Sequence, residues 1–258
     1  MLKWEAEGGG TMDRPDSGSG YRPESIGTQA EKTLHREIKD RLCPDHSCHE
    51  FPLGRYVADI YRDGHVTEIQ TGSFFLLKGK LERFLSQYSV TVVYPVVRKK
   101  TIRTIDEMGI LSAPRKSPKI GSPLQIGREL PALQAFLGLP GLDFLIYYTD
   151  VTEFRTRTME GKGRKPWERI DRFPSGEAQQ IRLRTAQDFL SLLPPNLPEP
   201  FTAAELAKAA RVAVDAARGF LAAGRIMGAF RECGKSGRSV LHGRVAGIPA
   251  PSFPESPL

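Results

Sequence analysis

Long apolar runs are missing from this sequence. Nothing in it approaches the roughly 18 to 20 consecutive apolar residues that a membrane-crossing helix needs, so no span is expected. The N-terminus also lacks the apolar core of a signal peptide. Cysteine is scarce. Three residues (Cys43, Cys48 and Cys233), odd in number and irregular in spacing, do not make a disulfide framework, and a reducing cytoplasm is the expected setting. There is no internal repeat. Acidic residues are the minority charge: 30 Asp plus Glu stand against 37 Lys plus Arg, for a net charge of +7. An excess of that size favours a polyanionic partner.

What is present is an ordinary globular composition, 40% hydrophobic and 26% charged, in a chain of 258 residues. That length holds one large core or two modest ones. Residues 1–30 are rich in Gly, Ser, Asp, Glu and Pro without hydrophobic period and read as a disordered tail. From residue 31 the pattern is that of an α/β protein. Leu34, Ile38 and Leu42 mark a short helix that Pro44 ends. Two alternating segments, Arg55–Tyr61 and His65–Gln70, flank Asp63-Gly64, a strong hairpin signal. Ser73 can cap a helix reaching Tyr88, and Val90–Val97 has the continuous apolar character of a strand buried on both faces. A second hairpin (101–105 with 110–113), a helix near Leu124–Leu137 and a strand near Asp143–Thr149 extend this domain to residue 154. Residues 155–182, basic and rich in turn formers, read as a connector.

Residues 183–247 follow a different rule. A first helix starts at Thr185. Thr202-Ala-Ala-Glu205 is a capping box opening a second, and a third covers Val212–Ala223 with Gly224 as its stop. Two strand-like runs then flank Gly234-Lys-Ser-Gly237, and residues 248–258 form a tail.

The hairpin can be worked out residue by residue. With Asp63 and Gly64 as turn residues, Arg62 pairs with His65, Asp59 falls opposite Glu68, and Val57 opposite Gln70. Opposed residues share a face and lie about 4.5–5.5 Å apart at Cβ, where two like charges are destabilising. A bound divalent cation removes that objection, since Mg²⁺ is held by one or two carboxylates plus substrate phosphate. Glu37, beside the stripe of Leu34 and Ile38, is expected to lean over the same end as a third acid.

At these residues the sequence resembles the PD-(D/E)XK, or restriction-endonuclease-like, superfamily, whose core is a helix, a β-meander, a helix and a strand. The matching positions are Glu37, Asp59 and Glu68-Ile69-Gln70, over roughly residues 31–97. Gln70 stands where the commonest pattern has Lys, and Lys78 or Lys80 on the next helix could supply the missing cation. The resemblance implies Mg²⁺- or Mn²⁺-dependent hydrolysis of DNA phosphodiesters, as an endonuclease or exonuclease. Asp59 and Glu68 would be the metal ligands and Glu37, Gln70, Lys78 and Lys80 further catalytic candidates. The rival reading is a non-catalytic DNA-binding regulator with a degenerate nuclease fold.

Residues 185–245, three helices and a two-strand ribbon, resemble a winged helix-turn-helix. Arg211 and Arg218 on or before its third helix, and Lys235 and Arg238 at the wing, suit phosphate contacts, as do Arg115, Lys116 and Lys119 in a basic loop. Protein contact, including a homodimer, is the alternative use of this module. Gly234-Lys-Ser-Gly lacks the spacing of a phosphate-binding loop. Cys43, His46, Cys48 and His49 lie close together, but not at the spacing of a common zinc finger, and read as a polar loop.

Overall fold

The computed structural model describes residues 30–157 and 167–245. It is a mixed α/β protein built on one large sheet with strand order β1-β2-β3-β4-β6-β7. Helix α1 (Ala30–Leu42) leads into the meander β1 (His49–Leu53), β2 (Tyr56–Arg62) and β3 (His65–Ile69); α2 (Lys78–Phe84) then crosses to β4 (Ser89–Ile105). The short β5 (Arg115–Lys116) lies beside β4, and the long strands β6 (Leu142–Arg157) and β7 (Trp167–Leu183) complete the sheet. Neighbours within β1–β2–β3 and β6–β7 are antiparallel, whereas β3, β4 and β6 run parallel.

Asp63 and Gly64 have φ of 49° and 76°. Two successive positive φ angles make the turn whose twist suits a two-residue hairpin, and Arg62 pairs with His65 as the alternation requires. The valines of β4 divide between the two faces. Val90, Val92 and Val96 join a core with Leu81 and Phe84, while Val93 packs with Leu34 and Ile38 of α1. Helix α1 thus covers one face, and α2 and the C-terminal helices cover the other.

Several expectations need correction. The helix expected near Leu124–Leu137 is two short 3₁₀ turns, Pro123–Arg128 and Leu130–Leu133. Pro131 lacks the donor that an α-helix continuing through it would use. The second hairpin is reduced to an Ile105–Leu111 bridge and the pairing of β5 with β4. The connector expected over residues 155–182 is mostly paired strand, with Arg157 opposite Trp167 and Leu145 opposite Arg182. Residues 158–166 and the tails expected at 1–30 and 248–258 lie outside the described residues, Ala30 excepted.

The C-terminal segment contains α3 (Ala186–Ser191), β8 (Phe201–Thr202), α4 (Ala203–Ala210), α5 (Val214–Ile226), β9 (Phe230–Ser236) and β10 (Ser239–Arg244). Its strands form a small sheet in the order β8-β10-β9. Thr185 with Asp188, and Thr202 with Glu205, close reciprocal capping boxes at α3 and α4. Helix α5 continues past Gly224. A Cβ there would come 2.4 Å from the Phe230 ring, so glycine serves close packing and the helix ends at Met227 instead. This segment is not loosely attached. Gly219 of α5 faces Gly127 so closely that an added Cβ would meet the Gly127 carbonyl oxygen at 1.9 Å. Phe189, Leu206 and Phe220 share one core with Leu124, Ile126 and Leu130.

Candidate active site where β2 and β3 part

The β2–β3 ladder runs from the turn to the pair Ile60–Thr67. One step further, at Asp59 and Glu68, the strands separate. Ile69 gives its N–H to Asp59 Oδ2 at 2.7 Å, and Gln70 gives its backbone N–H to Val93 of β4 at 2.9 Å. The expected pairing of Val57 with Gln70 therefore does not form. The opening is taken by Lys80, whose Nζ donates to the Val57 carbonyl at 2.8 Å and to Glu68 Oε2 at 2.7 Å. A cation from α2 thus bridges the parted strands.

The two acids differ in environment. Glu68 is 2% exposed, and its carboxyl is pushed up to about 7, first by burial and then by the Asp59 charge, with Lys80 acting in the opposite direction. Its Oε1 is buried and has no hydrogen-bond partner among the described residues. Asp59 titrates below its ordinary value. Burial works against ionisation there, but His35, the Ile69 amide and Lys80 outweigh it. His35 Nε2 lies 3.3 Å from Asp59 Oδ2 without the alignment of a hydrogen bond. One acid is held ionised, and the other titrates near neutrality even with Lys80 beside it.

His35 was not among the residues read from the sequence; its one local signal is its place on α1 next to the buried Leu34. Glu37, the expected third acid, lies two residues on, about 200° further round the helix. Among the described residues it makes no hydrogen bond or ion pair with Asp59 or Glu68. Of the two lysines, Lys80 reaches the site; Lys78 instead places its Nζ 4.6 Å from the Phe75 ring centre. The Gln70 side chain donates to the Ser73 carbonyl at 2.9 Å, in the loop leaving β3.

The basic candidates fall into four places. Arg115 and Lys116 form the exposed β5. Lys119 and Arg211 line one cleft with Lys100, Arg172 and Gln125, about 590 Å³ in volume. Arg218 and Arg238 line a groove between α4, α5 and β10 with Arg225 and His242, while Lys235 is exposed on β9.

What fold and site define is a mixed α/β protein with an acid–lysine cluster at parted strands of its main sheet. Residues 32–184 match the family described as a domain of unknown function, DUF8091, and the chain belongs to that family. The match stops at Arg184, immediately before the Thr185 cap of α3, so the C-terminal helices and ribbon lie beyond it. An uncharacterized protein of Treponema pallidum (strain Nichols) is 36% identical over 176 residues, which cover 66% of this chain and 70% of that one. No solved structure matches. Among the described residues no helix is long and apolar enough to cross a membrane.

Proposed function

We propose that the protein is a Mg²⁺- or Mn²⁺-dependent deoxyribonuclease of the PD-(D/E)XK type, with a C-terminal winged helix that positions DNA. The observation that carries this reading is the Asp59–Glu68–Lys80 cluster. It combines an ionised acid, a buried acid with one oxygen lacking a partner, and a lysine between the strands. The order of helix, meander, helix and parallel strand supports the nuclease-core reading. The order α3, β8, α4, α5, β9, β10, with β8 beside β10, supports the winged-helix reading.

The donor set suits a hard divalent cation. Asp59 and the unpartnered Glu68 oxygen offer carboxylate ligands, and a cation there ends the conflict that raises Glu68. When bound, such an ion lowers the pKa of a coordinated water and neutralises phosphoryl charge. The chain's own groups do the rest. Asp59 is steadied by the Ile69 amide and His35. Lys80 presents its ammonium where charge develops on a phosphate oxygen, so Lys is supplied from α2 and not from position 70. Lys100, Lys119, Arg172 and Arg211 give the phosphodiester backbone a basic path.

The second reading, a DNA-binding regulator without catalysis, is favoured by the Lys80–Glu68 ion pair, which makes a metal-free site tolerable. The two separate in a cleavage assay with Mg²⁺ or Mn²⁺ on single-stranded, duplex and branched DNA. Wild type is expected to cut, and Asp59→Asn to abolish cutting while DNA affinity holds or rises, because a negative charge is removed near phosphate. A wild type that cuts none of these substrates and binds no metal through Asp59 and Glu68 would decide for the regulator.

A further inference from the structure

The turn that joins α1 to β1 gathers donors that the carboxylate site does not use. Asp40 lies near the end of α1, His46 opens the 3₁₀ turn His46–Cys48, and His49 begins β1. A carboxylate oxygen of Asp40 and one ring nitrogen from each histidine all lie within 4.8 Å of one another. Asp40 Oδ1 is 3.8 Å from His46 Nε2 and 3.7 Å from His49 Nδ1. Both separations are too long for hydrogen bonds.

A second observation concerns the orientation of His49. Its side chain is 8% exposed, and its Nε2 lies 2.7 Å from the Cys43 carbonyl oxygen. A carbonyl can only accept, so Nε2 is the donor there, and Nδ1 is the ring nitrogen left facing Asp40, 3.7 Å from its Oδ1. A ring held through its far N–H by a backbone carbonyl is also how metal-ligating histidines are fixed. The nearby thiols are engaged elsewhere: Cys43 with the Asp45 carbonyl, and Cys48 with the Asp45 carboxylate.

We propose that Asp40, His46 and His49 form a binding site for a borderline-soft divalent ion of the zinc class, separate from the site at Asp59 and Glu68. Two imidazoles and one carboxylate suit that class better than Mg²⁺ or Ca²⁺, which take oxygen ligands. Tetrahedral bonds of zinc length place ligand atoms about 3.3 Å apart, so the separations of 3.7 and 3.8 Å need to close by about half an ångström. The His46 ring, 74% exposed, has room to make that movement. Three ligands leave the fourth position to water. The ion would tie the end of α1 to the edge strand β1. The ion pair of Lys39 with Glu50, one residue from Asp40 and His49 respectively, clasps the same junction.

The test uses the full chain after chelator treatment. Zn²⁺ is titrated against a chromophoric chelator, Co²⁺ is followed by its visible absorption, and melting is recorded with and without each ion. The wild type is expected to take one Zn²⁺ per chain at this site, to give tetrahedral Co²⁺ bands and to melt higher with metal. His46→Ala changes an exposed side chain and is expected to fold, so it keeps the proposal falsifiable if His49→Ala does not. It should weaken Zn²⁺ by about tenfold or more, and Asp40→Asn should act alike. The double variant Asp59→Asn, Glu68→Gln should keep this Zn²⁺. A wild type that binds Zn²⁺ and Co²⁺ no better than His46→Ala, or metal lost with the Asp59 and Glu68 changes instead, would overturn the proposal.

Discussion

Glu68→Gln is expected to stabilise the metal-free protein above neutral pH while destroying its capacity to hold a cation. The Glu68 carboxyl moves from an ordinary value of 4.5 to about 7 on folding. A folded-state value above the unfolded one means that ionisation opposes folding. The favourable, protonated state is fully populated below about pH 4.5, and its benefit is lost as pH rises through 7. Each unit is worth about 1.4 kcal/mol, so the change from 4.5 to about 7 withdraws about 3 kcal/mol by pH 8. Gln has the shape of the protonated acid and cannot ionise, so it escapes that loss. Its amide carbonyl can still accept from Lys80.

The assay is thermal or denaturant unfolding of wild type and Glu68→Gln, with chelator present, from pH 5 to 8. At pH 5 the two should differ by less than about 1 kcal/mol on the same linkage. At pH 8 the variant should lead by about 3 kcal/mol, or roughly 6–12 °C for a domain of this size. Saturating Mg²⁺ or Mn²⁺ should raise the wild-type melting temperature at pH 8 and leave the variant unmoved, because only the wild type keeps a buried anion to neutralise. A variant less stable than wild type at pH 8 would refute the reasoning, since it would mean that the Lys80–Glu68 pair stabilises more than burial of the carboxylate costs.

Lys80→Ala should lower the rate of DNA cleavage by about 10²-fold, the usual cost of losing a group that stabilises developing charge, while Lys78→Ala leaves it unchanged. Gln70→Lys should do little or harm, because Lys80 already faces Glu68. Glu153→Gln should destabilise by about 3–5 kcal/mol in denaturant unfolding, as for one partner removed from a buried ion-pair network. Burial works against ionisation of Glu153, but Arg172, Arg155 and Lys100 lower its carboxyl to about 2. Its contribution is therefore present above pH 4.5 and lost as pH falls towards 2. Lys119→Ala with Arg211→Ala should flatten the salt dependence of DNA binding by about 2 in log–log slope, near 0.9 for each phosphate that is no longer neutralised; an unchanged slope would remove that cleft from the DNA path.

How far the sequence could be read depends on the range of the forces involved. The β2–β3 turn was legible because two-residue turn chemistry and strand alternation act within ten residues; they carry the register as far as Ile60–Thr67, and the expected pairing of Asp59 with Glu68 does not form. Helix caps at Thr185 and Thr202 were legible for the same reason. Position 224 misled because glycine has two uses: it can end a helix or, as here, admit the Phe230 ring. The supposed connector misled because its charges look solvated when read along the chain. In the fold they pair across strands, Glu153 of β6 with Lys100 of β4 and Arg172 of β7. His35 could not be found locally at all, since its relation to Asp59 depends on how α1 lies against the sheet.

The choice between Lys78 and Lys80 shows where local pattern stops. Two residues on a helix differ by about 200°, so one of them must face the sheet, but which one depends on the docking of α2. Leu77, Leu81 and Phe84 decide it by filling the core, which leaves Lys80 over the gap between β2 and β3. Glu68 needs a positive neighbour because it is buried beside Asp59, whatever residue stands at 70. That need can be met from any backbone position within reach of the carboxylate. A motif read as consecutive letters therefore records one common route to a charge balance, whereas the balance itself is set by burial and by the parting of two strands.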